Sequence, residues 1–127
     1  MITFCTLFSG SSGNAVYFAT DQGALLVDCG MSGRQVLDAL CAAGLDPAGL
    51  KALLITHEHS DHVKGVGVLS RRLGLPVYAT EGTWQGMDSA VGELAPQHRI
   101  VIRAGESFFL NDLEIAPFSI PHDAADP

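Results

Sequence analysis

At 127 residues with 47% hydrophobic side chains, the chain has the length of one domain and enough apolar content to bury a core. Its net charge of −7 excludes a broad basic surface for nucleic acid, but not a nuclease whose positive field comes from bound dications. No run reaches the roughly eighteen apolar residues of a membrane span, and residues 1–4 lack the positive start of a secretory signal, so the expectation is a cytoplasmic protein with no membrane partner.

Residues 2–8 and 15–19 read as strands, joined by Ser9-Gly10-Ser11-Ser12-Gly13-Asn14. This loop is either a plain hairpin connection or the rim of a cleft in which Ser11, Ser12 and Asn14 offer donors to a substrate oxyanion or phosphate. It holds no nucleotide P-loop pattern. A turn at Asp21-Gln22-Gly23 leads to a strand at 24–28 whose continuous apolarity predicts burial on both faces. Asp28 closes that strand, where a carboxylate needs a hydrogen-bonded or metal-side role, or caps the following loop.

Cys5, Cys29 and Cys41 are odd in number and widely spaced, which predicts buried thiols in a reducing compartment; Cys29, following Asp28, could also ligate a metal. Ser32-Gly33-Arg34-Gln35 opens a helix with Val36, Leu37, Leu40 and Cys41 on one face, stopped by Gly44. A strand at 50–55 then delivers His57-Glu58-His59-Ser60-Asp61-His62, three histidines and two carboxylates in six positions. His57 and His59, two apart, share a face as the chain leaves the strand, and Asp61 and His62 fall on the first turn of a helix running to about residue 72. Imidazole and carboxylate suit zinc and other first-row dications, whereas the alternative is a set of surface histidines opening an ordinary helix. Lys64, Arg71 and Arg72 read as solvated charges, and Gly65 and Gly67 as points of close packing against the sheet.

Residues 76–79 form the next strand, so strand and helix alternate as in an α/β layer. A helix follows at 81–91 with Trp84 and Met87 in the core, and His98 reads as a surface residue. Strands at 100–102, 107–110 and 113–120 come next, and His122 stands just beyond the last, where a further ligand from a separate strand belongs.

Paired histidines followed by Asp-His resemble the signature of the metallo-β-lactamase superfamily. Together with Phe8 through Asn14, Val27-Asp28-Cys29-Gly30 and Pro121-His122-Asp123-Ala124-Ala125-Asp126-Pro127, the motif looks most like the YycJ/WalJ branch. The resemblance implies a four-layer αββα sandwich of α/β (α+β) class and a cytoplasmic, metal-dependent DNA exonuclease. It implies that His57, His59 and His122 hold one Zn²⁺, that Asp61 and His62 hold a second metal, with Mn²⁺ also possible, and that Asp28 braces the ligands. The relatives continue for about the same length again, so residues 1–127 are expected to be the amino-terminal lobe. The bridging Asp and the last histidine would then lie in the other lobe.

The chemistry expected is hydrolysis by metal-bound water, with Asp61 as the catalytic residue that orients the attacking oxygen and a phosphodiester such as DNA as substrate. A small-ester or thioester hydrolase of the glyoxalase II or lactonase kind would use the same residues. An iron oxidoreductase would need a more carboxylate-rich motif, and a third rival is a metal-binding fragment without activity. The lobe alone is expected to be nearly inactive and to self-associate through apolar sheet surface.

Overall fold

A computed structural model describes residues 2–10, 13–57, 60–110 and 113–118; for Ser60 and Asp61 it describes the backbone alone. His59, His122, Ser11 and Ser12, together with residues 119–120 of the expected last strand, lie outside the described residues.

Six strands form one sheet in chain order: β1 (Thr3–Phe8), β2 (Ala15–Thr20), β3 (Gly23–Val27), β4 (Leu50–Leu54), β5 (Val77–Thr80) and β6 (Arg99–Ile102). The first three pair antiparallel, because connections as short as Asp21-Gln22 can only reverse the chain. From β3 to β6 the pairing is parallel, and each connection contains helix: α1 (Gly33–Ala42) after β3, α2 (Ser60–Val63) and α3 (Val66–Leu73) after β4, and α4 (Glu81–Val91) after β5. A hairpin of β7 (Phe108–Leu110) and β8 (Leu113–Ile115) makes a second, two-stranded sheet.

Register assigns the two faces of the large sheet. Cys5 pairs with Tyr17, Tyr17 with Leu26, Leu26 with Leu53 and Leu53 with Val77, so these side chains share one face. They join Val36 and Leu40 of α1, Val63 of α2, Val66 and Leu69 of α3, and Trp84, Met87 and Val91 of α4 in a single buried core. The other face carries Leu25, Ala52 and Tyr78, and the hairpin lies over it: Phe108 stacks on Tyr78 with ring centroids 5.3 Å apart, while Leu110 and Leu113 close on Leu25 and Ala52. Ala24, Leu25 and Leu26 are all buried, as the apolar run of β3 predicts.

Local signals account for most boundaries. Ser32 accepts from the Gln35 N–H while the Gln35 side chain accepts from the Ser32 N–H, a reciprocal cap that starts α1. Gly74 ends α3 in the left-handed conformation that suits a residue without Cβ.

Four expectations change. The single helix expected from Asp61 to about residue 72 is two, α2 and α3, interrupted at Lys64-Gly65. Cys41 is exposed and Cys5 partly so, because one step beyond Leu40 turns the α1 side chain some 100° out of the core; Cys29 alone is a fully buried thiol. Gly65 and Gly67 do mark close approach, but their neighbours are not the sheet: a Cβ at Gly65 would stand 2.4 Å from the Met31 carbonyl, and one at Gly67 2.1 Å from the Val91 carbonyl of α4. Arg71 is also more than a solvated charge, since its guanidinium donates to the carbonyls of Val91 (2.8 Å) and Glu93 (3.1 Å) at the end of α4.

Candidate metal centre

The site stands where β3 and β4 end side by side, at the carboxyl edge of the parallel strands. Asp28 follows β3 immediately, and its N–H donates to the Leu54 carbonyl at 2.7 Å. Its φ of 65° is the one positive value among described non-glycine residues, a conformation Asp tolerates better than most side chains. It turns the chain so that the Cys29 N–H reaches the His62 carbonyl (2.8 Å) and the Cys29 carbonyl accepts from the Gly65 N–H (2.7 Å). The helix that bears Asp61 and His62 is thus fastened by backbone to the loop after β3. Gly30 fastens the other side, donating to the Asn14 carbonyl at 2.8 Å.

Thr56, two residues beyond β4, binds both oxygens of Asp28: its N–H donates to Oδ1 at 2.8 Å and its hydroxyl to Oδ2 at 2.8 Å. A hydroxyl has one proton. With that proton on Asp28, the 2.9 Å contact between Thr56 Oγ1 and His57 Nδ1 requires the ring to donate. His62 Nδ1 lies 2.6 Å from Asp28 Oδ2 and likewise donates to it. Each neutral ring then carries its lone pair on Nε2.

Asn14 gives independent support for that assignment. Its Oδ1 accepts from the Gly10 N–H (3.3 Å) and its Nδ2 donates to the Gly10 carbonyl (2.9 Å), which fixes which end of the amide is nitrogen. That nitrogen stands 3.3 Å from His62 Nε2, a contact that is favourable only if Nε2 accepts. The His57 and His62 rings lie together, centroids 3.8 Å apart and tilted by 47°.

Asp28 and His57 are buried, and with Thr56 and His62 they line one end of a cleft of about 510 Å³. Apart from Thr80, its remaining walls are apolar, with Val27, Leu54 and Ile102 from the sheet, Ile115 from β8 and Phe118 from the chain beyond the hairpin. Cys29 faces away into the core, and burial, followed by the neighbouring Asp28 charge, pushes its thiol far up from the ordinary value, so it supplies no thiolate at neutral pH.

Of the residues expected at the site, His57, His62, Asp28 and Asn14 come together, and the backbone of Asp61 sits with His62 in α2. Thr56 was not foreseen; the available signal was a hydroxyl residue directly between the apolar strand and the first histidine. Among the described residues no group of three His, Cys, Asp or Glu side chains assembles a metal cage. The donor set nevertheless fits a borderline dication: two imidazoles have Nδ1 committed to an oxygen and Nε2 carrying the lone pair, with a carboxylate behind one of them.

The sequence profile of the Metallo-beta-lactamase superfamily matches residues 9–122. Exodeoxyribonuclease YycJ of Bacillus anthracis is 42% identical over 124 residues, covering 98% of this chain and 47% of the relative. Exodeoxyribonuclease WalJ of Streptococcus pneumoniae serotype 2 is 41% identical over 126 residues, with coverage of 98% and 47%. A B3 metallo-beta-lactamase with an active-site glutamic acid superposes with a TM-score of 0.77 at 22% identity, covering 97% of this chain and 51% of that one. The chain spans about half the length of the curated relatives it matches.

Proposed function

Because the chain belongs to the metallo-β-lactamase superfamily, we propose that it works in a cytoplasmic, metal-dependent hydrolase whose substrate is a DNA phosphodiester cut from an end. The observation that carries the metal-dependent part is the wiring of two histidines through Asp28 and Thr56, which holds both rings in the tautomer a cation needs. The DNA substrate is supported by two exodeoxyribonucleases that align with 98% of the chain at 41–42% identity.

In this reading His57, His59 and His122 hold one Zn²⁺, and Asp61 and His62 contribute to a second site that could also take Mn²⁺. Bound dications lower the pKa of water towards ~7 and draw charge from the phosphoryl oxygen. Asp61 orients the attacking water. Asp28 keeps the proton of His62 on Nδ1, and Thr56 does the same for His57. The apolar residues along the cleft reduce the water around its buried end, where Asp28 and His57 lie, which strengthens charge interactions there.

Residues 1–127 alone supply two ligands to the second site, so we infer that this form is close to inactive. Phe4, Phe109 and Phe118 are at least 66% exposed, which supports self-association of the same form.

Elemental analysis after dialysis tests the first metal site: about one zinc per chain is expected, with loss in His57→Ala and His59→Ala. Labelled-DNA digestion with Mn²⁺ or Zn²⁺, comparing the 127-residue form with one of the relatives' length and with a thioester control, tests the substrate. DNA digestion by the 127-residue monomer, abolished in Asp61→Ala, would overturn the claim of inactivity; thioester cleavage without DNA cleavage by the longer form would overturn the substrate.

A further inference from the structure

We propose that Asn14 is a two-position residue: its side-chain amide occupies the lone pair of His62 Nε2 when no cation is bound, and turns the released N–H onto a phosphoryl oxygen of the substrate when one is. This rests on the metal-site reading above and names a substrate contact within it.

The amide nitrogen of Asn14 stands 3.3 Å from His62 Nε2. A zinc–imidazole bond is about 2.0–2.1 Å long, so a cation on Nε2 needs the space the amide now faces. An amide nitrogen is a donor only and cannot become a ligand itself. It must therefore turn away, yet it cannot go far. Asn14 Oδ1 and Nδ2 are tied to the N–H and carbonyl of Gly10, and its backbone carbonyl accepts from Gly30. The released N–H stays beside the cation, where its acceptor is an oxygen atom drawn there by the same charge.

The composition of the cleft makes a phosphoryl oxygen the fitting acceptor. Among its described lining residues there is no Lys or Arg, and the chain as a whole carries −7. Among these residues, anionic oxygens beyond those reached by the cations can be met only by neutral donors, and Asn14 is a neutral donor already seated at the ligand nitrogen. A hydrogen bond to a charged oxygen is worth more than one between neutral groups, so its loss is measurable.

The test uses the form of the relatives' length, loaded with zinc at both sites so that His62 Nε2 is engaged, and inorganic phosphate as probe. Zinc affinity is read by chelator competition, phosphate affinity by calorimetry, and the Asn14 side-chain amide by ¹⁵N NMR. In the wild type the amide signal should shift on adding zinc and again on adding phosphate. Asn14→Ala should bind zinc as well as or better than the wild type, because the amide no longer competes for Nε2, and should bind phosphate ~10-fold more weakly. Asn14→Asp keeps an acceptor for the Gly10 N–H but has no donor and adds a negative charge, so it should bind phosphate more weakly still. Unchanged phosphate affinity in both variants overturns the proposal. Parallel loss of zinc and phosphate also overturns it, since that marks a mere loop anchor. A wild type that retains no zinc overturns the metal-site reading itself.

Discussion

The carboxylate of Asp28 and the imidazole of His62, 34 positions apart in the chain, meet at 2.6 Å with both side chains largely out of solvent. A pair this close needs a defined proton, and the Thr56 hydroxyl on the same oxygen leaves only the ring to donate. The pair is therefore a device for setting which nitrogen of His62 carries the proton.

Asp28→Asn tests that device. Asn accepts the positive φ as readily as Asp, so the backbone turn survives. An amide that keeps its oxygen on the Thr56 N–H turns an N–H towards His62 Nδ1, which forces the ring proton to Nε2. In the form of the relatives' length, affinity for the second zinc, the one His62 would hold, should fall ~10–100-fold while the melting temperature of the metal-free protein stays near that of the wild type. Equal falls in zinc affinity and melting temperature would show that Asp28 is only a cap.

Thr56→Val removes the hydroxyl at nearly constant volume and leaves His57 Nδ1 and Asp28 Oδ2 each short of a partner. The expected result is at least ~10-fold weaker zinc binding, restored in Thr56→Ser. Chelator competition on the three proteins decides it, and a Val variant that binds like the wild type would remove Thr56 from the site.

Gly67→Ala sets two effects against each other. Ala gains about 1 kcal/mol of helix propensity, but its Cβ would lie 2.1 Å from the Val91 carbonyl, a backbone atom that moves only with α4. Overpacking of this kind costs roughly 1–3 kcal/mol and also disturbs the bond from Arg71 to Val91. The clash should win, and urea denaturation should show a less stable protein; a variant at least as stable as the wild type would refute the contact.

The sheet and its helices were readable because each rests on local pattern: the apolar run of β3, the Ser32–Gln35 cap, the glycine after α3. The cluster of histidines and carboxylates at 57–62 was readable as residue types in tight spacing, and the structure brings His57 and His62 of it together. What stayed hidden depends on chain segments far apart. At the break between α2 and α3 Gly65 donates to the Cys29 carbonyl and lies where a Cβ would collide with the Met31 carbonyl, and no helical period announces either relationship. Thr56 looks like any strand-end threonine until β3 and β4 lie parallel and bring Asp28 beside it. Arg71 is one of two adjacent arginines on α3, and only the fold reveals which of them ends α4.

The three thiols should separate by reagent access. Cys41 is exposed, Cys5 partly so, and Cys29 is buried with its thiol pushed far up by desolvation and the Asp28 charge. Iodoacetamide at neutral pH should label Cys41 first and leave Cys29 untouched until the chain is denatured. Mass spectrometry of the digested adducts reads the order, and early labelling of Cys29 would contradict its packing.

Among the described residues, four backbone bonds surround the site, from Asp28 to Leu54, Cys29 to His62, Gly65 to Cys29 and Gly30 to Asn14, and none involves a side-chain atom. The entropy of ordering this corner is therefore lost when the chain folds and not when an ion arrives. Capture of an ion by His57 and His62 would then be a matter of shedding water and turning side chains, with the four bonded segments keeping their backbone. Amide protons of Asp28, Cys29, Gly30 and Gly65 should exchange with deuterium equally slowly before and after zinc is added.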